Sequence, residues 1–322
     1  MDLVPADGAL LDQILSATFD IWHEGLSRGA YPQYYKTQLS TSWGRRHLRR
    51  WALVDGGEVL ASAKEYEFEA TLDGRSVRLV GLGAVFTQPR HRGHAYGRLV
   101  VERLLARAAA AGVDLALLFS EIGAPYYARV GFQPIPASLI DLRVEEDPQR
   151  GAPAALVRAG HERDLADLVA IGRARASGFR FHLIRDRDLI QYGIARKRLL
   201  AGLSAPGRRS VQFAVSEEGG AAVAYVVIAT HGPIWTIEDA GDRDPSGARV
   251  GAILQTLIAA NPAEPRPSIS AWWPARLRPP QVTVTGERAA PDLMMILPLT
   301  SNGTPSPPLD PADVLFWHGD LF

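Results

Sequence analysis

One stretch constrains this chain more than any other: Gln88-Pro89-Arg90-His91-Arg92-Gly93-His94-Ala95-Tyr96-Gly97-Arg98. It leaves a strand-like run, Ser76 to Phe86, and opens a helix whose Leu99, Leu104, Leu105 and Ala108 line one face as far as Gly112. Bare N–H groups at the positive end of a helix dipole receive a pyrophosphate well. Gly93, Ala95 and Gly97 let the backbone approach such a group, and Arg90, Arg92 and Arg98 add charge-assisted bonds. An ordinary solvated helix start carries acids, which the dipole favours, rather than arginines.

The surroundings read as follows. A helix is expected over about Ala9 to Leu26 and a second over about Gln33 to Arg49. Three strand runs, Trp51 to Val54, Leu60 to Thr71 and Ser76 to Phe86, are separated by Asp55-Gly56-Gly57 and Asp73-Gly74, which predicts an antiparallel meander. After the loop and its helix come a short strand (Asp114 to Phe119), a short helix (Pro125 to Val130) and a strand pair near Phe132 to Val144.

The loop resembles the signature of the GNAT acetyltransferase superfamily, Arg/Gln-x-x-Gly-x-Gly/Ala, at Arg90, Gly93 and Ala95. The same pattern at Arg78, Gly81 and Gly83 lies inside a strand run with no helix after it and is set aside. About thirty residues on, Tyr127-Ala128-Arg129-Val130-Gly131-Phe132 resembles the family's Tyr-x-x-x-Gly-Phe element. The resemblance implies an α/β (α+β) fold with a mixed, mostly antiparallel sheet. It implies acetyl-CoA as co-substrate, bound by Val85, Phe86, Thr87, Arg90, Arg92, Gly93, His94, Ala95, Tyr96, Gly97, Arg98 and Ser120. Tyr127 aligns with the tyrosine that protonates the departing thiolate; its plain structural alternative is an aromatic filling the sheet edge. Glu65, Glu67 and Glu121 are open as the base, as is the carboxylate of the last residue, Phe322. Ser120-Glu121, Tyr127 and the closing phenylalanine are similar to the mycobacterial enhanced-intracellular-survival acetyltransferases, with little room here for their third, sterol-carrier-like domain. Fungal-type lysine N-acetyltransferases are an equal comparison.

The second half repeats the order of elements: helices over about His161 to Ala176 and Asp186 to Leu200, strands near Ser210 to Ser216, Ala221 to Thr230 and Ile234 to Asp239, then a helix from about Ser246 to Ala260. Further strands are expected around Ser268, Val282 and Met294. Its counterpart of the phosphate loop, Glu238 to Gly247, carries four acids in place of arginines and predicts a domain that binds no CoA. The expected division is therefore 1–146 as the acetyl-CoA-binding catalytic domain, 147–155 as a linker, and 156–322 as a degenerate GNAT-like domain with an extended tail.

Composition narrows the classes. With no cysteine among 322 residues, there is no thiolate metal site and no cysteine acyl-enzyme, so attack within a ternary complex is the simplest route. No histidine pairing predicts a metal either. Lys plus Arg (35) balances Asp plus Glu (35), which gives no reason to expect a nucleic-acid or membrane partner. No apolar run spans a bilayer and no signal-peptide layout opens the chain, so the expected address is cytoplasmic. The expected activity is transfer of an acetyl group to a primary amine: a small amine, a lysine side chain or an aminoglycoside-like molecule. The alternative is an acyl-CoA-binding regulatory or interaction protein without turnover. The oligomeric state is left open.

Overall fold

The computed structural model describes residues 1–145, 155–261, 265–274 and 276–322. In chain order the first half runs β1 (Asp2–Pro5), α1 (Gly8–Trp22), α2 (Ala30–Ser40), α3 (Ser42–His47), β2 (Leu48–Asp55), β3 (Glu58–Leu72), β4 (Arg75–Thr87), α4 (Tyr96–Ala110), β5 (Leu115–Ser120), α5 (Ala124–Ala128), β6 (Gln133–Ile135) and β7 (Ser138–Val144). The second half continues with β8 (Leu156–Ala159), α6 (Leu165–Ala176), β9 (Phe181–Leu183), α7 (Arg187–Leu203), β10 (Arg209–Glu218), β11 (Ala221–His231), β12 (Ile234–Asp242), α8 (Ala248–Ala259), β13 (Ser268–Ala271), β14 (Val282–Ala289), β15 (Leu293–Pro298) and β16 (Val314–Leu315).

The chain makes two compact units, and neither is contiguous. One comprises residues 1–136, 292–309 and 322; the other comprises 137–291 and 310–321. This departs from the single division expected near residues 147–155, nearly all of which lie outside the described residues. The cause is a reciprocal exchange of strands. In the first unit the sheet order is β1-β2-β3-β4-β5-β15-β6, and β15, from late in the chain, fills the slot between β5 and β6. In the second unit the order is β8-β10-β11-β12-β13-β7-β14, and β7, from the first half, fills the equivalent slot. The expected pairing of β6 with β7 therefore does not form.

Along these two strand orders the pairs are antiparallel but for β4 with β5 and β12 with β13, and β9 pairs in parallel with β16. The repeated topology matches the duplication read from the element order. The helix expected over Gln33 to Arg49 divides in two. Thr41 leaves helical geometry at ψ 161° and its side chain accepts from the Gly44 N–H, which starts α3 afresh, and β2 begins at Leu48.

In the first unit, α4 buries Val100, Val101, Leu104, Leu105 and Ala108 with Ala61, Ala63, Val80, Leu82, Ala116 and Leu118. Burying a Leu or Val side chain contributes about 1.5–3 kcal/mol, so the helix and the start of its first turn are held firmly on the sheet. The helices α1 to α3 cover the opposite face, where Tyr35 meets Lys64 and Trp43 meets Phe68.

Candidate active site

Sheet register creates the site. β4 and β5 pair in parallel only from Leu79↔Leu115 to Leu82↔Leu118, yet β4 continues to Thr87 and β5 to Ser120. Beyond Leu82 and Leu118 the strands part. On its other edge, β4 carries a bulge: Lys64 pairs with Gly83 and Ser62 with Phe86, so two residues of β4, Ala84 and Val85, oppose Ala63 alone. Ala84 pays for the bulge with a left-handed φ of 46°. Val85, Phe86 and Thr87, which the sequence resemblance implies bind acetyl-CoA, lie beyond the last β4–β5 pair.

The loop expected to bind phosphate lies between β4 and α4. Gly93 (φ 87°) and Ala95 (φ 61°) are left-handed, and no side chain caps α4 and no acid lies in its first turn. Gly97 is needed for a different reason from the one read in the sequence. A Cβ there would lie 2.8 Å from Thr87 Oγ1 and 3.0 Å from the Tyr126 hydroxyl, so glycine lets α4 sit down on β4 and α5. Gly93 has open space around it. Arg90 pairs with Glu58 at 2.6 Å and His91 bonds the same carboxylate, which anchors the loop to β3. Arg98 pairs with Glu102 at 3.0 Å, and the His94 ring stacks on Tyr96 with centroids 5.7 Å apart.

Tyr127, on α5, belongs to the core between α4 and the sheet and packs edge-on to Phe132 and Tyr126. Burial pushes its phenol up to about 12, with Tyr126 and Glu121 adding to the shift. It is therefore both core aromatic and a proton-bearing group at neutral pH. Ser120 Oγ donates to the Gly123 carbonyl at 2.7 Å and shapes the turn after β5.

The acids divide clearly. Glu65 is buried and accepts from Trp51 Nε1 at 2.8 Å and from Arg107 of α4, so its charge is spent inside the core. Glu67 shares that face by alternation and is exposed. Glu121, just after β5, is exposed; partial desolvation raises its pKa, and repulsion from Asp292 and Glu24 adds to it.

Phe322 packs against both splayed strands. Its ring lies 4.7 Å from the Tyr66 ring, 5.3 Å from Phe68 and 5.2 Å from Phe119 of β5, centroid to centroid. Over β4 it occupies space that only glycines leave: a Cβ at Gly81 would be 2.7 Å from the ring's Cζ, and one at Gly83 would be 3.3 Å from the main-chain oxygen of Phe322. Sequence reading set Gly81 and Gly83 aside, though alternate glycines in a long strand are the usual mark of a close approach. Tyr127 thus packs on the α4 face of the sheet and Phe322 on the opposite face.

In the second unit the corresponding places are filled from within. The Asp242 carboxylate accepts from the N–H groups of Asp244 and Arg249 and the Arg249 side chain, occupying the end of α8 where a phosphate would sit. At the β12 bulge, buried Glu238 is held by Lys197 at 2.9 Å and His318 at 3.0 Å.

Among the described residues no group of three or more His, Asp or Glu side chains is placed to hold a metal, and no helix is long and apolar enough to cross a membrane.

A parallel splay beside a bulged strand thus feeds a left-handed loop into an uncapped helix. Residues 14–135 match the family described as "Acetyltransferase (GNAT) domain". No curated protein matches the chain. Among solved structures it is similar to a probable N-acyltransferase from Enterococcus faecalis, at 14% identity and TM-score 0.68, over 92% of this chain and 72% of that one. A GCN5-related N-acetyltransferase from Kribbella flavida aligns at 17% identity and TM-score 0.68, over 92% and 70%. Eis1 from Mycobacterium abscessus aligns at 18% identity and TM-score 0.58, over 93% and 74%. At these identities the likeness is one of fold, and it spans both units.

Proposed function

We propose that the protein transfers the acetyl group of acetyl-CoA directly to a primary amine in a ternary complex. The observation that carries this reading is the parting of β4 from β5 beyond Leu82 and Leu118, next to a basic, uncapped helix start. Arg90, Arg92, Arg98 and the N–H groups of Gly93 to Gly97 would hold the pyrophosphate, with His94 and Tyr96 beside it. Main-chain groups of Val85 to Thr87 would pair with the pantetheine arm and bond the thioester oxygen as charge builds there. No cysteine is present to carry an acyl-enzyme.

In this reading the amine attacks the thioester carbon, and its proton passes to the carboxylate of Phe322, with Glu121 drawing the cationic amine toward the cleft. Tyr127 donates to the departing sulfur. Its pKa of about 12 lies well above the ~8.5 of a thiol, so full transfer is uphill by roughly 5 kcal/mol, and its contribution is a hydrogen bond that strengthens as the thiolate forms. The acceptor is a small amine, a lysine side chain or an aminoglycoside-like amine.

The test mixes protein, acetyl-CoA and a panel of lysine, aminoglycosides, polyamines and short peptides, and follows thiol release, to which a chain without cysteine is silent. Amine-dependent release that falls about 100-fold in Tyr127→Phe, with acetyl-CoA affinity kept, is expected. Acetyl-CoA binding without turnover on any amine favours the regulatory reading instead. No binding at all overturns both.

A further inference from the structure

We propose that the second unit is a peptide-binding module whose ligand is the chain's own segment Asp313 to Leu321, held in a groove that the segment can leave without the unit unfolding. This role is separate from acetyl transfer. The groove begins where a sheet opens. β12 and β13 pair in parallel only from Ile234↔Ser268 to Ile237↔Ala271, yet β12 runs on to Asp242. Just beyond the last pair β12 bulges: Val227 pairs with Asp239 and Ile228 with Ile237, so Glu238 is the extra residue. The turn His318 to Asp320 lies on this bulge, with His318 3.0 Å from the Glu238 carboxylate and Gly319 against the Glu238 main chain.

The segment arrives as a strap. Residues 304–310, all described, form no helix or strand, and the segment itself adds only the two-residue β16 beside β9. Side chains from separate elements fix it. Arg180, before β9, pairs with Asp313 at 3.0 Å. Arg185, before α7, divides between Asp239 of β12 at 2.7 Å and Asp320 at 3.2 Å. On α7, Arg196 donates to the main-chain oxygen of Leu321, and Lys197 shares the Glu238 carboxylate with His318. Trp317, only 3% exposed, sets its ring edge-on to Trp273 with centroids 6.0 Å apart, and the Phe316 ring lies 5.7 Å from that of Phe181.

These are the means by which a peptide ligand is held. An aromatic anchor sits in a desolvated pocket, and charge-assisted bonds surround it. The acids at the two ends of the segment, Asp313 and Asp320, each meet an arginine of the groove. Gly319 supplies the selectivity. A Cβ there would lie 2.7 Å from the main-chain oxygen of Glu238, which is sheet backbone and cannot swing aside. The facing wall is bare as well, since a Cβ on Gly193 of α7 would come 4.0 Å from the Gly319 oxygen. The groove therefore reads an acid, a pair of aromatics and a glycine in an extended chain. A unit whose α8 start is already filled by Asp242 keeps its opened sheet for a ligand of another kind.

Amide hydrogen exchange on the full, unaltered chain tests this first. The N–H groups of Trp317, Asp320 and Leu321 are bonded inside the segment, and those of β11 inside the sheet. The segment is expected to open roughly tenfold or more often than Tyr225 to Val227 of β11; equal protection makes it part of the core and overturns the proposal. A fluorescent synthetic peptide with the sequence of residues 310–321 is then titrated into the full chain carrying Gly319→Val, whose own segment clashes with β12. Saturable binding is expected, roughly tenfold or more tighter than to the unaltered chain with its groove filled, and lost when the peptide itself carries Gly319→Val. Absence of binding while β11 stays protected overturns the proposal, as does equal binding of the two peptides. If Gly319→Val costs β11 its protection, Asp320→Asn, which removes only the charge facing Arg185, takes its place under the same two criteria.

Discussion

Gly81 and Gly83 weaken β4 as a strand and are kept because a Phe322 ring and a main-chain oxygen need their faces bare. Gly81→Ala places a methyl 2.7 Å from the ring, and the ring must move. We expect it to lower kcat about tenfold or more while acetyl-CoA affinity and the melting temperature change little, as measured by steady-state kinetics, calorimetry and thermal melting. Glu121 acts by charge rather than contact. With its pKa raised by burial and by Asp292 and Glu24, Glu121→Gln should raise KM for a cationic amine and leave kcat nearly unchanged, with the largest effect at low salt.

At the scale of elements, α4 follows the loop proposed to bind the cofactor, and its seating depends on Gly97. Gly97→Val pushes against Thr87 Oγ1 and the Tyr126 hydroxyl, and overpacking of this kind costs about 1–3 kcal/mol. Both thermal stability and acetyl-CoA affinity should fall, the latter by about tenfold, which isothermal titration would show. Much of this element was legible in the sequence, because Leu104, Leu105 and Ala108 keep helical spacing and Ala95 and Gly93 punctuate its start. The meander before it was equally plain from Asp73-Gly74 and Gly56-Gly57, whose positive φ values make the turns. The bulge at Ala84 was not legible, since nothing in Gly83-Ala84-Val85 distinguishes a bulged strand from a regular one. Nor were the partners of β6, β7 and β15: short strands name their own faces but not their neighbours, and these neighbours lie more than a hundred residues away.

For the molecule as a whole, each half lends one strand to the other half's sheet. A chain ended after residue 146 lacks β15, leaves β5 and β6 without the strand between them and removes Phe322. It should show no cooperative thermal transition, in contrast to the full chain. The second unit contributes acid sensitivity. Lys197 and His318 hold buried Glu238 at about 2, against an ordinary value of 4.5. A depressed carboxylate stabilises the fold above its unfolded pKa, by about 3 kcal/mol here, and that stability is lost as pH falls from 4.5 toward 2. Denaturant titrations should show Glu238→Gln less stable than the unaltered protein at pH 6, with the gap closing over that window.

The late arrival of β15 also sets a clock on the protein's birth. About 170 residues separate the end of β5 from the start of β15. At roughly 5–20 residues per second, a ribosome takes on the order of 10–30 s to add them. For that interval the growing chain displays the long edge of β5, Leu115 to Ser120, with no mate. The enzyme is thus assembled last-in rather than first-out, and any factor that shields nascent strands has a defined stretch of this chain to guard.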